Sequence, residues 1–159
     1  MIRPWVLISG ASSGFGEASA RLLAEEGWKL LLTSRRHAQL NAVAEVCRAS
    51  GAEVHVASWD IRNRKETQEG VHALMTEADI HQNRTGLTLT ALVNNAGLAV
   101  GKGPFDAGLD DDWDRMIDTN VKGLLFLARA CVPFMTSGSR MVNMGSIAGK
   151  QVYTGGNVY

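Results

Sequence analysis

Cysteine is scarce in this sequence: Cys47 and Cys131 are the only two, far apart in segments that read as helices, and neither belongs to a metal-spaced pair. The four histidines, His37, His55, His72 and His81, are scattered among unrelated segments. No metal centre is expected from such a distribution, and the two thiols read as small buried hydrophobes. An excess of charge is missing as well, with 16 basic against 16 acidic residues. Without a net positive field there is no footprint for gripping a phosphate backbone, which argues against nucleic acid as a partner. No apolar run approaches the ~20 residues that span a bilayer, so no membrane partner is expected. The first ten residues lack the apolar core and cleavage site of a secretory leader and read directly as a strand. A cytoplasmic protein is expected. At 159 residues, 45% of them hydrophobic, the chain is long enough for one domain with a real core and too short for two.

What is present is a regular alternation. Short apolar runs bounded by turn residues suit strands buried on both faces. Such runs occur at residues 5–9, 30–33, 53–57, 91–94 and 140–144. Helical periodicity occupies 14–26, 37–50, 64–78 and 112–135, with Gly27 and Gly51 as stops. Residues 79–88 and 100–112 read as surface loops. Strand–helix alternation with crossovers of this length predicts an α/β fold, a doubly wound parallel sheet of five strands with helices on both faces. The apolar positions Trp113, Met116, Ile117, Val121, Leu124 and Leu125 predict one helical stripe.

Between the first strand and the first helix lies Ser9-Gly-Ala-Ser-Ser-Gly-Phe-Gly16. Glycines at Gly10, Gly14 and Gly16 allow a tight turn and let a diphosphate approach where no Cβ intervenes. The helix that follows turns its free N–H groups and positive dipole end toward the anion. A glycine-rich turn without ligand is the alternative, and it is a poor fit to the first strand-to-helix turn of an alternating chain. This wide glycine spacing resembles the phosphate loop of the short-chain dehydrogenase/reductase family, Thr-Gly-x-x-x-Gly-x-Gly, with Ser9 in place of the threonine.

The resemblance continues to the last residue and implies a set of roles. Ser12, Ser13 and Phe15 fall within the loop and are expected at the cofactor. The second strand ends in Thr33-Ser34-Arg35-Arg36, with no carboxylate to accept ribose hydroxyls. Two guanidiniums there can grip a 2′-phosphate, which predicts NADP over NAD. Their alternative, a solvated helix start, conflicts with the helix dipole. Asp60, followed by Ile61, matches the family aspartate that takes the adenine amino group. Asn94-Asn95-Ala96-Gly97 matches the motif that lies against the cofactor and steadies the central sheet; Asn94, Ala96 and Gly97 are expected there. Asn120 matches the asparagine that holds a proton-relay water. Ser146 matches the serine that bonds the substrate oxygen, and Tyr159, at the family spacing from it, the catalytic tyrosine.

A free phenol, with a pKa near ~10, is a poor base at neutral pH. The family assists it with a lysine four positions further on, beyond Tyr159. The chain is therefore expected to be the front portion, residues 1–159, of a single-domain enzyme, and inactive by itself. The motifs look most like those of NADP-dependent 3-hydroxy acid (serine-type) dehydrogenases. That resemblance implies reversible hydride transfer on a small alcohol or carbonyl substrate, in a homodimer or homotetramer. Two other readings stay open: a nucleotide-binding module without catalysis, and a reductase of 3-oxoacyl thioesters.

Overall fold

A computed structural model describes residues 3–81, 88–151 and 154–156. Five strands run in the order β1 (Trp5–Ser9), β2 (Lys29–Thr33), β3 (Val54–Ala57), β4 (Leu89–Asn94) and β5 (Arg140–Asn143). Between them lie α1 (Gly14–Glu25), α2 (His37–Ala49), α3 (Arg64–His81), α4 (Asp110–Ile117) and α5 (Leu124–Cys131). The sheet order is β3-β2-β1-β4-β5 and every pairing is parallel. This is the expected doubly wound architecture. The order reverses between β1 and β4, where a crevice opens outside the carboxyl ends of the strands.

Alternation along each strand sorts the core into two layers. Val6, Ile8, Leu30, Leu32 and Val54 face α1 and α2 and pack with Ala20, Ala24, Leu40, Val43, Ala44 and Cys47. Trp5, Leu7, Leu31, Leu89 and Leu92 face the other way, onto Trp59, Val71, Leu74, Met75, Leu127 and Cys131. Each fully buried leucine or valine contributes about 1.5–3 kcal/mol relative to exposure. With both faces covered, β1 and β2 need near-continuous apolar sequence, and that is why they were readable.

Three expectations need correction. First, α3 does not stop at Ala78 but runs to His81, into the expected loop 79–88; residues 82–87 of that loop lie outside the described residues. Second, the single helix expected over 112–135 is composite. It starts at Asp110, where Asp110, Asp111 and Asp112 place three carboxylates against the positive end of the dipole. A wide π-helical turn, Asp118–Gly123, separates α4 from α5, and a tight 3₁₀ turn, Val132–Phe134, closes the element. Third, the apolar stripe is really two stripes. Met116, Thr119, Gly123, Leu127 and Cys131 face the core, whereas Ile117, Val121, Leu125 and Val132 are 42–57% exposed. At Gly123 the helix crosses close to the loop after β3. A Cβ on Gly123 would sit 2.9 Å from the Ile61 side chain.

Candidate functional site

At the carboxyl ends of β1 to β4 lies a cavity of about 350 Å³. The loop after β1 forms its floor and needs glycine at two positions for different reasons. Gly10 adopts φ +66°, a left-handed backbone, and a Cβ there would lie 2.9 Å from the Ala96 backbone. Gly16, at the start of α1, lies so close to the Gly10 carbonyl and the Asn95 amide that any Cβ would collide with both. Helix and loop thus meet backbone to backbone, which brings the first-turn N–H groups of α1 to the cavity edge. Gly14 supplies the second left-handed turn of the loop. Gly10, Ser12, Ser13 and Phe15 line the cavity, and Phe15 leaves 76% of its surface exposed there.

The Ser9 hydroxyl ties β1 to β4. It accepts hydrogen bonds from the backbone N–H groups of Asn95 and Ala96, both at 3.1 Å, and donates to the Val93 carbonyl at 3.4 Å. The Asn95 side-chain amide donates in return to the Ser9 and Gly10 carbonyls at 2.9 and 3.3 Å. Asn95, Ala96 and Gly97 form the back wall. Asn94 is not among the lining residues. It is buried, and its amide donates to Asn143 on β5 at 2.8 Å. The expectation that Asn94 faces the cavity is corrected: as the last residue of β4 it pairs sideways with β5, and its neighbour Asn95 takes the place at the wall.

The cationic end is built by Arg35 and Arg36. The Arg36 guanidinium donates to the Ser12 hydroxyl through Nε at 3.2 Å and Nη2 at 2.9 Å, and to the Ser13 hydroxyl. The Arg36 backbone N–H is in turn held by the Ser34 hydroxyl at 3.2 Å. Among the described residues no carboxylate makes a salt-bridge contact with either arginine, although the charge of Arg35 is felt at Asp60. Asp60, on the loop after β3, lines the cavity and is held by its neighbour Arg62. Its carboxylate takes four hydrogen bonds from Arg62, at 3.1, 3.0 and 2.6 Å from the side chain and 3.0 Å from the backbone N–H. These bonds hold its carboxyl below the usual aspartate range. Ile61 lines the cavity beside it.

Sequence reading alone missed Ser9, Thr33, Ser34, Trp59, Asn95 and Thr119 as lining residues. The hydroxyls of Thr33 and Thr119 have no hydrogen-bond partner among the described residues, and with almost no accessible surface they lie behind the cavity wall. The cavity fits a dinucleotide: backbone N–H groups and a helix end for phosphates, and two guanidiniums for a further phosphate.

Asn120 lies in the π-helical turn and clamps the strand–loop junction after β4. Its Oδ1 accepts from the Leu98 N–H at 2.8 Å and its Nδ2 donates to the Leu98 carbonyl at 2.7 Å. Ser146 is exposed after β5, where its Oγ caps a short turn by accepting from the Ala148 N–H at 3.2 Å. Tyr159 lies outside the described residues. The segment leading to it is anchored: the Gly103 N–H donates to the Gly155 carbonyl at 3.0 Å, and Lys102 bridges to Gly156.

Residues 4–159 match the family model of the short chain dehydrogenases. The chain is 41% identical over 156 residues to the NADP-dependent 3-hydroxy acid dehydrogenase YdfG of Salmonella typhi, covering 97% of this chain and 58% of that protein. It is 38% identical over 158 residues to serine 3-dehydrogenase of Agrobacterium fabrum, again covering 97% and 58%. Among solved structures, the closed form of serine dehydrogenase complexed with NADP+ superposes with a TM-score of 0.83 at 38% identity, covering 98% of this chain and 59% of the other. The chain thus spans somewhat more than half the length of the curated relatives it matches.

Proposed function

The chain belongs to the short-chain dehydrogenase family, and from that premise we propose that the protein is an NADP(H)-dependent oxidoreductase acting on a small 3-hydroxy acid or the matching carbonyl. One observation carries the cofactor reading: Arg36 is pinned onto the hydroxyls of Ser12 and Ser13. A loop that holds phosphate and an arginine that favours phosphate are built as one surface, with Arg35 beside it. NADP(H), when bound, supplies or takes the hydride; the residues fix its position and charge.

In this reading Gly10, Gly14 and Gly16, with the start of α1, hold the diphosphate. Ser12, Ser13, Arg35 and Arg36 hold the 2′-phosphate. Asp60 and Ile61 border the adenine, and Phe15, Asn95, Ala96 and Gly97 form the wall toward the reacting end. Asn94 holds β5 against β4 and so fixes where Ser146 emerges. Ser146 orients the substrate oxygen, while Tyr159 donates a proton to it in reduction and removes one in oxidation. Asn120 positions the wall through Leu98 and supports proton relay. Residues 1–159 act as one nucleotide-binding domain. A small free substrate is favoured over carrier-bound thioesters because relatives at 41% and 38% identity carry hydroxy-acid and serine dehydrogenase names and one at 40% is a sulfoacetaldehyde reductase. The exposed row Ile117, Val121, Leu125 and Val132 supports a homo-oligomer. No described helix is long and apolar enough to cross a membrane, which fits a cytoplasmic site of action.

The test is replacement of Arg35 and Arg36 by alanine in the protein expressed from its complete coding sequence. NADPH affinity should fall about ten- to a hundredfold, the worth of one charge-assisted bond, with NADH little changed. Turnover is assayed on serine and other 3-hydroxy acids beside acyl thioesters. Equal losses for both cofactors would refute the phosphate assignment.

A further inference from the structure

Away from the cofactor cavity, α3 and α5 pack side by side and leave a groove of about 300 Å³ on their outer face. The groove shares no lining residue with that cavity. Its charge is of one sign. Arg64 enters from α3 and Arg129 from α5, and no carboxylate lines the groove. Among the described residues neither guanidinium has an ion-pair or hydrogen-bond partner. The acidic residues of the first turns of α3 are engaged elsewhere, Glu66 by the Asn63 amide and Glu69 by Lys65.

The rest of the lining suits an apolar body. Phe126, Pro133 and Phe134 supply carbon surface, and both rings are half-buried. The polar groups are held against these rings. The Arg129 guanidinium lies 5.8 Å from the Phe126 centroid, a cation–π contact that steadies the charge at the groove. The His72 ring meets Phe134 edge-on at 6.4 Å, and its Nδ1 lies 3.4 Å from the Thr76 hydroxyl. That leaves His72 Nε2 and the Gln68 amide, both on the groove, free to bond a ligand.

We propose that this groove binds a small organic carboxylate carrying an aromatic ring. Arg64 and Arg129 hold the charged end, and Phe126, Pro133 and Phe134 hold the ring. A concave site of this size, with apolar walls and a few convergent polar groups, is the usual form of a small-molecule pocket. The planar fork of a guanidinium matches the two oxygens of a carboxylate, and the volume suits a ring-sized body, not an extended chain. Two like charges on one groove repel each other, so a bound anion relieves a cost that the empty protein carries. The site is independent of the oxidoreductase reading, because no part of it touches the nicotinamide cofactor.

Calorimetric titration of the protein from its complete coding sequence tests this with phenylacetate as the probe. Saturable binding of one equivalent per subunit is expected, with Kd of about 1 mM or tighter. Phenylacetamide, which keeps the ring and loses the charge, should bind about tenfold more weakly or worse, and so should acetate, which keeps the charge and loses the ring. Replacing both arginines, Arg64→Gln with Arg129→Gln, should cost phenylacetate about tenfold or more. Gln68→Trp, at an exposed helix position, should abolish binding by filling the groove while both arginines stay. Saturating NADPH should leave phenylacetate affinity unchanged, whereas competition between the two would place the probe in the cofactor cavity and overturn the proposal. Absence of saturable binding would overturn it too, as would wild-type affinity in the double arginine variant or in Gln68→Trp. NADPH binding that fails in the wild type would refute the cofactor reading alone and leave this site standing.

Discussion

Ser9 offers the sharpest test of how the cavity is held together. Its side chain is one hydroxyl, 1% exposed, at the junction of β1 and β4. It accepts from two successive N–H groups and donates to one carbonyl. Ser9→Ala removes a single oxygen and strands those two donors at the start of the back wall. Leaving a buried donor unsatisfied costs about 1–3 kcal/mol each. Asn95 and Ala96 are only partly buried, so water recovers some of that loss, and a destabilisation of about 2–4 kcal/mol follows. With a urea dependence of about 1–3 kcal/mol per molar, the unfolding midpoint should drop by roughly 1–2 M at an unchanged slope. Tryptophan fluorescence reads this directly. Ser9→Thr keeps the hydroxyl and should hold most of the stability, since the family loop carries threonine at this position. NADPH affinity should fall with Ser9→Ala as well, because Asn95 supports both the Gly10 carbonyl and the wall. A Ser9→Ala protein within about 0.5 kcal/mol of wild type would refute the reasoning, since surface-like behaviour of that size means the three bonds carry no net stability.

Two further outcomes are expected. Burial pushes the Cys131 thiol from 9.0 up to about 12, so the folded state retains a proton that the unfolded chain releases. The associated stability is fully present below pH 9 and is lost as pH rises toward 12. Its size is at most about 4 kcal/mol. Urea titrations of wild type and Cys131→Ala across that window should diverge in slope against pH, and parallel curves would count against it. Separately, Leu125→Asp on the exposed row should shift the protein to a smaller species in light scattering at micromolar concentration; an unchanged oligomeric mass would place the subunit contact elsewhere, and a monomeric wild type would refute the homo-oligomer.

The sequence made the fold legible because its strands are buried on both faces. Val6–Ile8 and Leu30–Leu32 are fully buried and apolar at every position, and the bounds of both strands came out within one residue. The loop Ser9–Gly16 was legible for a similar reason: Gly10 and Gly16 leave no room for a Cβ, so the geometry writes itself into residue type. What stayed hidden depends on which way a side chain turns. Asn94 and Asn95 are chemically identical neighbours, and only the pairing of β4 with β5 decides that one bonds Asn143 and the other Ser9. Ser12 and Arg36 are 24 positions apart, so their bond appears only once β1 and β2 lie side by side.

The composite helix shows the same limit most clearly, and it also explains why the limit falls at a site residue. Residues 110–131 carry a continuous helical periodicity, and nothing in it announces the wide turn at Asp118–Gly123. A π-helical turn costs backbone hydrogen-bond quality and persists only where the surroundings reward it. Here the reward is visible on both sides of the element. On one side Asn120 makes two bonds to the Leu98 backbone, fixing the loop that follows the back wall. On the other, Gly123 lets the helix close onto Ile61, while Thr119 lines the cavity. One helix thereby reaches the loop after β4, the loop after β3 and the cavity between them.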